Sequence, residues 1–123
     1  MAWLKKEQIV EMGFACFGNN VMLSDKTSYY NCKNIRLGDN VRIDDFSVLS
    51  AGSGGIHIGN HVHIAFNVSI IGAGSITISD FAGISARCAI YSSNDDYSGL
   101  VLTGPTVPAA FTNVNHADVR IGR

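Results

Sequence analysis

Charge is scarce in this sequence. Only 15% of the 123 residues are Asp, Glu, Lys or Arg, the net charge is −1, and like charges form no block. That balance argues against an electrostatic hold on nucleic acid or on an acidic membrane surface. So little charge also suggests a surface partly covered by other chains. Proline is nearly absent, with two residues against thirteen glycines, a ratio that suits many tight turns at positive φ. The three cysteines, Cys16, Cys32 and Cys88, are odd in number and have no metal-ligand spacing. No apolar run is long enough to span a membrane and no leader-like segment opens the chain, so a reduced, cytoplasmic setting without membrane insertion is the expectation. What is present is an apolar content of 46% with 9% aromatics, the composition of a globular chain of one-domain length.

The sequence repeats itself. IRLGDNVRIDDFSVLS from Ile35, IHIGNHVHIAFNVSII from Ile56 and ITISDFAGISARCAIY from Ile76 align, and ACFGNNVMLSDKTSYY from Ala15 joins them with weaker residues. The starts lie about twenty residues apart, the range of solenoid repeats. Inside each segment the period is six. Leu37, Ile43 and Leu49, then Ile58, Ile64 and Ile70, then Ile78, Ile84 and Ile90 hold its strongest position, preceded in the first segment by Phe17, Leu23 and Tyr29. Two residues before each stands a smaller or branched side chain: Ile35, Val41, Ser47; Ile56, Val62, Val68; Ile76, Ala82, Cys88. Period-two spacing puts each pair on one side of a short strand. Three such strands with turns between them make a triangular coil of roughly eighteen residues, whose inward side chains are buried only by stacking on the next coil. The additional residues of each repeat fall at one corner, in loops 51–55 and 72–75. A two-sheet sandwich also needs short strands but does not explain the six-residue period. The fold class expected is all-β, a parallel β-helix of hexapeptide coils.

Both ends differ from the middle. Residues 1–13 read as a helical cap, with Leu4, Ile9 and Met12 at helical spacing and Gly13 to stop it. Residues 14–123 form the β-helix domain, and Val119 and Ile121 restart the pattern just before Arg123. An uncapped solenoid leaves backbone and apolar side chains exposed. The stop in mid-coil is therefore read as a truncation, or as an end covered by a partner.

The rhythm breaks at 92–118. A loop this long in a compact domain is usually functional or disordered. Tyr97, Leu100, Val101, Leu102 and Phe111 give it too much apolar content for a free tether. Its ends lie on neighbouring coils about 4.8 Å apart, which allows Asp95 or Asp96, just after departure, to meet His116, just before return. An Asp–His pair is a general-base arrangement, the imidazole taking the proton and the carboxylate fixing its tautomer. The same residues also suit a blander role, the aspartates as turn formers and His116 as a solvated loop residue. His57, His61 and His63 invite a metal reading, but His57 and His63 fall on adjacent faces of the triangle. They are expected to be surface or subunit-interface residues, with no metal bound within one chain. Cys88 is expected in the core, Cys16 outside and Cys32 in a loop, none an activated thiol.

The helix ending in Met-Gly-Phe, the IRLGDNVRID and IHIGNHVHIA coils and the SSNDDYSG loop opening resemble the hexapeptide-repeat acyltransferases, most closely their sugar and polysaccharide O-acetyltransferase branch. The resemblance implies a left-handed β-helix, a homotrimer with active sites between subunits, and acetyl-CoA as co-substrate. A histidine base then assists direct attack of the acceptor hydroxyl on the thioester. In many members that histidine lies just after the third side of the coil, where register puts Asp95. A carboxylate is a weaker base than imidazole near neutral pH, so His116 is expected to take the role, oriented by Asp95 or Asp96. Asn94 and Tyr97 are the expected substrate contacts. Further coils carry much of the acetyl-CoA groove in the family, which leaves the activity of this chain by itself open. The function expected is thus acetyl-CoA-dependent O-acetylation of a sugar or glycan precursor. The alternatives are N-acetylation of a nucleotide-linked amino sugar, a non-catalytic β-helix scaffold, or the metal-dependent carbonic anhydrase-like branch of the fold, which needs converging histidines.

Overall fold

The computed structural model describes residues 1–123. Three parallel sheets form the sides of a triangular prism. The first side stacks Cys16–Phe17, Ile35–Leu37, Ile56–Ile58, Ile76–Ile78 and Val119–Ile121. The second stacks Met22–Leu23, Arg42–Ile43, His63–Ile64 and Gly83–Ile84, and the third Ser28–Tyr30, Val48–Ala51, Ser69–Gly72 and Ala89–Tyr91. The molecule is a left-handed parallel β-helix with one short helix. Each strand bonds to its counterpart one coil away in strict register, Ile35 on Ile56 and Ile56 on Ile76.

The six-residue period becomes the core. All nine strong positions from Leu37 to Ile90 are buried, none more than 7% exposed, and Ile35, Val41, Ile56, Val62, Val68 and Ile76 fill the columns beside them. Each such side chain contributes about 1.5–3 kcal/mol on leaving water. Ser47 occupies the same column without leaving a polar atom unpaired: its hydroxyl donates to Ala65 O and accepts the Val68 N–H. Asparagine and aspartate form a ladder at the corner between the first and second sides, where Asp39 Oδ1 accepts the Asn19 N–H, Asn60 Oδ1 that of Asp39 and Asp80 Oδ1 that of Asn60, each at 2.7 Å. Carboxylate and amide oxygens there satisfy turn amides that no strand reaches.

The helix runs Lys6–Met12, and Gly13 ends it at φ 77°, ψ 35° with its N–H on Val10 O. Ile9 is buried in the core, while Leu4 N–H bonds Leu23 O at 2.8 Å. Cys88 differs from expectation. It is exposed just ahead of the Ala89–Tyr91 strand, whereas Cys32 is buried in a 3-10 turn at Cys32–Asn34. No helix is long and apolar enough to cross a membrane.

Candidate functional site

The loop at 92–118 closes on itself before it reaches outward. Ser93–Asn94 pairs antiparallel with Asn115–His116, Ser93 opposite His116 and Asn94 opposite Asn115. The hydroxyl of Ser93 accepts the Ala73 N–H at 2.9 Å and lies 2.6 Å from His116 Nδ1. Ser92 is buried beside it, donating to Gly74 O, and Ala117 N–H returns to Ser92 O. Gly72 makes this junction possible: its φ is 146°, and a Cβ there would stand 2.7 Å from Ser92 N. The loop root is thus tied to the corner of the preceding coil by two hydroxyl contacts, Ser93 to Ala73 and Ser92 to Gly74, and closed on itself by the other two.

The expected Asp–His pair does not form in this chain. The antiparallel register places serine, not aspartate, across from His116, and it carries Asp95 and Asp96 on toward the loop tip. Asp96 is held there by the Ser98 N–H at 2.9 Å and by Asn113 Nδ2 at 3.0 Å. Hydrogen bonds from Ser98, then from Asn113, keep its carboxyl below the ordinary aspartate value. Asn94 and Tyr97 are exposed at the loop opening and Asp95 is half-buried between them, while His116 is exposed on the strand paired with Ser93–Asn94. Beyond the loop opening Leu100, Leu102 and Phe111 are all exposed, Leu100 at 88%, around an apolar hollow lined also by Val101 and Ala110.

A second polar cluster lies on the coils themselves. His63 follows Arg42 and precedes Gly83 in the ladder of the second side. Asp44, two residues after Arg42, turns the corner and is 5% exposed. His63 Nε2 reaches Asp44 Oδ2 at 2.9 Å, and Arg42 grips the same carboxylate through Nε at 2.7 Å. The Arg42 guanidinium in turn lies 5.5 Å from the Trp3 ring. Burial pushes the Asp44 carboxyl up, but hydrogen bonds from Arg42 and His63 together outweigh it and hold it below its ordinary value. An open notch of about 370 Å³ lies beside this pair, lined by His63, Ala65, Gly83, Ile84, Ser85 and Ala86. The sequence alone gives Asp44 no functional role and reads His63 as a surface or subunit-interface residue. The available signal was the repeat register, since residues j and j+2 on adjacent strands are diagonal neighbours within reach of a long side chain. The three clustered histidines do part company: His57 lies on the first side, His63 on the second, and His61 at the corner, stacked on Phe81 at 5.0 Å.

No protein-family model matches the chain. All 123 residues align at 54% identity with a dTDP-4-amino-4,6-dideoxy-D-glucose acyltransferase of Escherichia coli, and the chain spans 64% of that protein's length. Among solved structures it is similar to AntD, an N-acyltransferase from Bacillus cereus, in complex with dTDP and 3-hydroxybutyryl-CoA. The TM-score is 0.92 and the identity 39%, over 98% of this chain and 63% of that one. The same protein with dTDP-4-amino-4,6-dideoxyglucose and coenzyme A, in a variant replaced at one serine, superposes with a TM-score of 0.92 at 38% identity, over 98% and 64% of the two chains. A further variant of that protein is replaced at an aspartate ten positions beyond the serine. The β-helix of this chain is thus the fold of a protein solved with coenzyme A and a nucleotide sugar.

Proposed function

We propose that this chain carries the coils and the acceptor loop of a CoA-dependent N-acyltransferase whose acceptor is the amine of a nucleotide-linked 4-amino sugar. The observation that carries this reading is the 54% identity to a dTDP-amino-sugar acyltransferase across every residue, loop included. The sequence favoured hydroxyl acetylation. The relatives favour an amine acceptor, which the repeats cannot reveal because they encode the prism and not the acceptor.

The loop rim supplies the acceptor side of the site. Asn94, Asp95 and Tyr97 offer amide, carboxylate and phenol groups to a sugar nucleotide. His116, bonded to Ser93, acts as a positioning residue that holds the rim to the coil. In this chain only Ser85 and Asp95 reproduce the ten-residue serine–aspartate spacing of the Bacillus variants. Ser85 turns the corner between the second and third sides, whereas Asp95 lies in the loop beyond the third. A second copy of this chain laying its loop across the first would bring the two together, and the exposed Leu100, Leu102 and Phe111 give that loop an apolar face to bury. A homotrimer satisfies this with three equivalent sites.

The test is to incubate the chain with acetyl-CoA and either dTDP-4-amino-4,6-dideoxyglucose or its 4-hydroxy counterpart, following free thiol and product mass. Acylation of the amino sugar alone is expected, from a species of trimer mass by light scattering. Binding of neither nucleotide sugar would sink the proposal.

A further inference from the structure

One cluster outside the loop is more closely built than a solvated face requires. Asp44 receives both Arg42 and His63, His63 stands beside a notch of small residues, and the loop chemistry uses none of them. Resting on the acyltransferase reading above, we propose that His63, held by Asp44, accepts the proton of the acceptor amine in the notch beside Ser85.

The tautomer follows from the geometry. Asp44 is buried and ionised, and an ionised carboxylate only accepts hydrogen bonds, so the proton of neutral His63 sits on Nε2, 2.9 Å from Asp44 Oδ2. The lone pair is then on Nδ1, which has no partner within the chain, on a ring whose side chain is 52% exposed. That is the arrangement of a general base with an orienting carboxylate. Room for a reacting group exists because Gly83, the next residue in the ladder, has no side chain, and a Cβ built there meets nothing within 4 Å. Ser85 lines the same notch at the corner position that Asp44 holds two coils earlier, and its exposed hydroxyl bonds nothing in the chain. An ordinary surface ion pair needs neither the doubly held, buried carboxylate nor the cleared space beside the imidazole.

The step is balanced without any further reactant. The amine nitrogen attacks the thioester carbonyl carbon, and the nitrogen–carbon bond forms as the carbon–sulfur bond breaks. Coenzyme A leaves as the thiolate. The nitrogen's proton passes to His63 Nδ1 and from there to that thiolate, giving amide and free thiol. Asp44 is a positioning residue, since it touches the imidazole and not the substrate.

His63→Gln in the full chain tests this, with acetyl-CoA and dTDP-4-amino-4,6-dideoxyglucose as substrates. A fall in kcat of about a hundredfold or more is expected, with loss of the rising limb of the pH–rate profile and an unchanged melting temperature. Asp44→Asn should lower kcat and leave KM unchanged, because an amide can offer either its NH2 or its oxygen to Nε2 and no longer fixes the imidazole tautomer; a merely structural role would lower the melting temperature and leave kcat in place. Calorimetry gives the comparison without turnover: the wild type should bind the amino sugar about tenfold more tightly than the 4-hydroxy analogue, equivalent to about 1.4 kcal/mol, and His63→Gln should bind both alike. Wild-type kcat, pH limb and amine preference in His63→Gln would overturn the dyad and leave the acyltransferase reading standing. A wild type that binds neither nucleotide sugar would remove that reading, and this proposal with it.

Discussion

Between Ile35 and Tyr91 every strand bonds to its counterpart a coil away, and the side chains it turns inward are almost wholly withdrawn from water. Between 92 and 118 the chain makes one two-residue ribbon and a short 3-10 turn, and leaves its largest apolar side chains outside. Both regions carry large apolar side chains, and they place them oppositely with respect to water. The difference is repetition. A coil buries its isoleucines because the neighbouring coil presents the same pattern one strand spacing away, whereas the loop has no second copy of itself in this chain. Its apolar face is therefore chemistry directed outward, and the coil stack is the rigid body that holds it.

The strongest way to break that contrast is to delete matched side chains from the two regions. Ile64→Ala, in the middle of the stack, should cost about 2–5 kcal/mol, while Leu100→Ala in the isolated chain should stay within about 0.5 kcal/mol; urea unfolding measures both. In the oligomer proposed above the order should narrow, with Leu100→Ala lowering the assembled fraction in light scattering. A smaller effect is expected where the regions join. Gly72→Ala sets a Cβ against Ser92 N at a backbone angle few side chains adopt and should cost about 1–3 kcal/mol. Hydrogen exchange should quicken at Ser92, Ser93 and Ala117 while the amides of the Ile56–Ile58 strand keep their protection.

The smallest effect is a pH dependence confined to the stack. The folded-state value of Asp44 is depressed, so its contribution is present above the unfolded aspartate value of about 3.9 and is lost as pH falls through the folded value. The wild type should therefore lose stability below about pH 4 through this group. Asp44→Asn should be less stable at neutral pH and flatter across that acid range, as thermal melts at successive pH values would read. A variant with the same acid limb as wild type would show that Asp44 is not the group responsible.

How much of this was legible beforehand follows the same division. The strands at Ile35–Leu37, Arg42–Ile43 and their successors could be placed because their period is local and repeated, and each inward position had three others to check it. Cys88 shares that spacing and is nevertheless exposed, while Ile90 two residues on is buried, so pattern by itself does not settle burial at every position. The Asp95–His116 pairing failed for another reason. Loop ends that are near in space do not state their register, and one ribbon pair decided that Ser93 faces the imidazole. The Asp44–His63 contact joins residues nineteen apart through a diagonal across two coils, a relation visible only once the strands are aligned.

By itself, then, the chain's order of residues determined the prism: where its strands run, which side chains face the axis, and where the rhythm stops for a loop. Short-range spacing is enough for that, since each coil repeats the geometry of the last. Only the tertiary structure decided which polar groups meet, because a hydrogen bond depends on a few tenths of an ångström and on the direction of a donor. Those are set by coil offset, corner geometry and ribbon register rather than by distance along the chain.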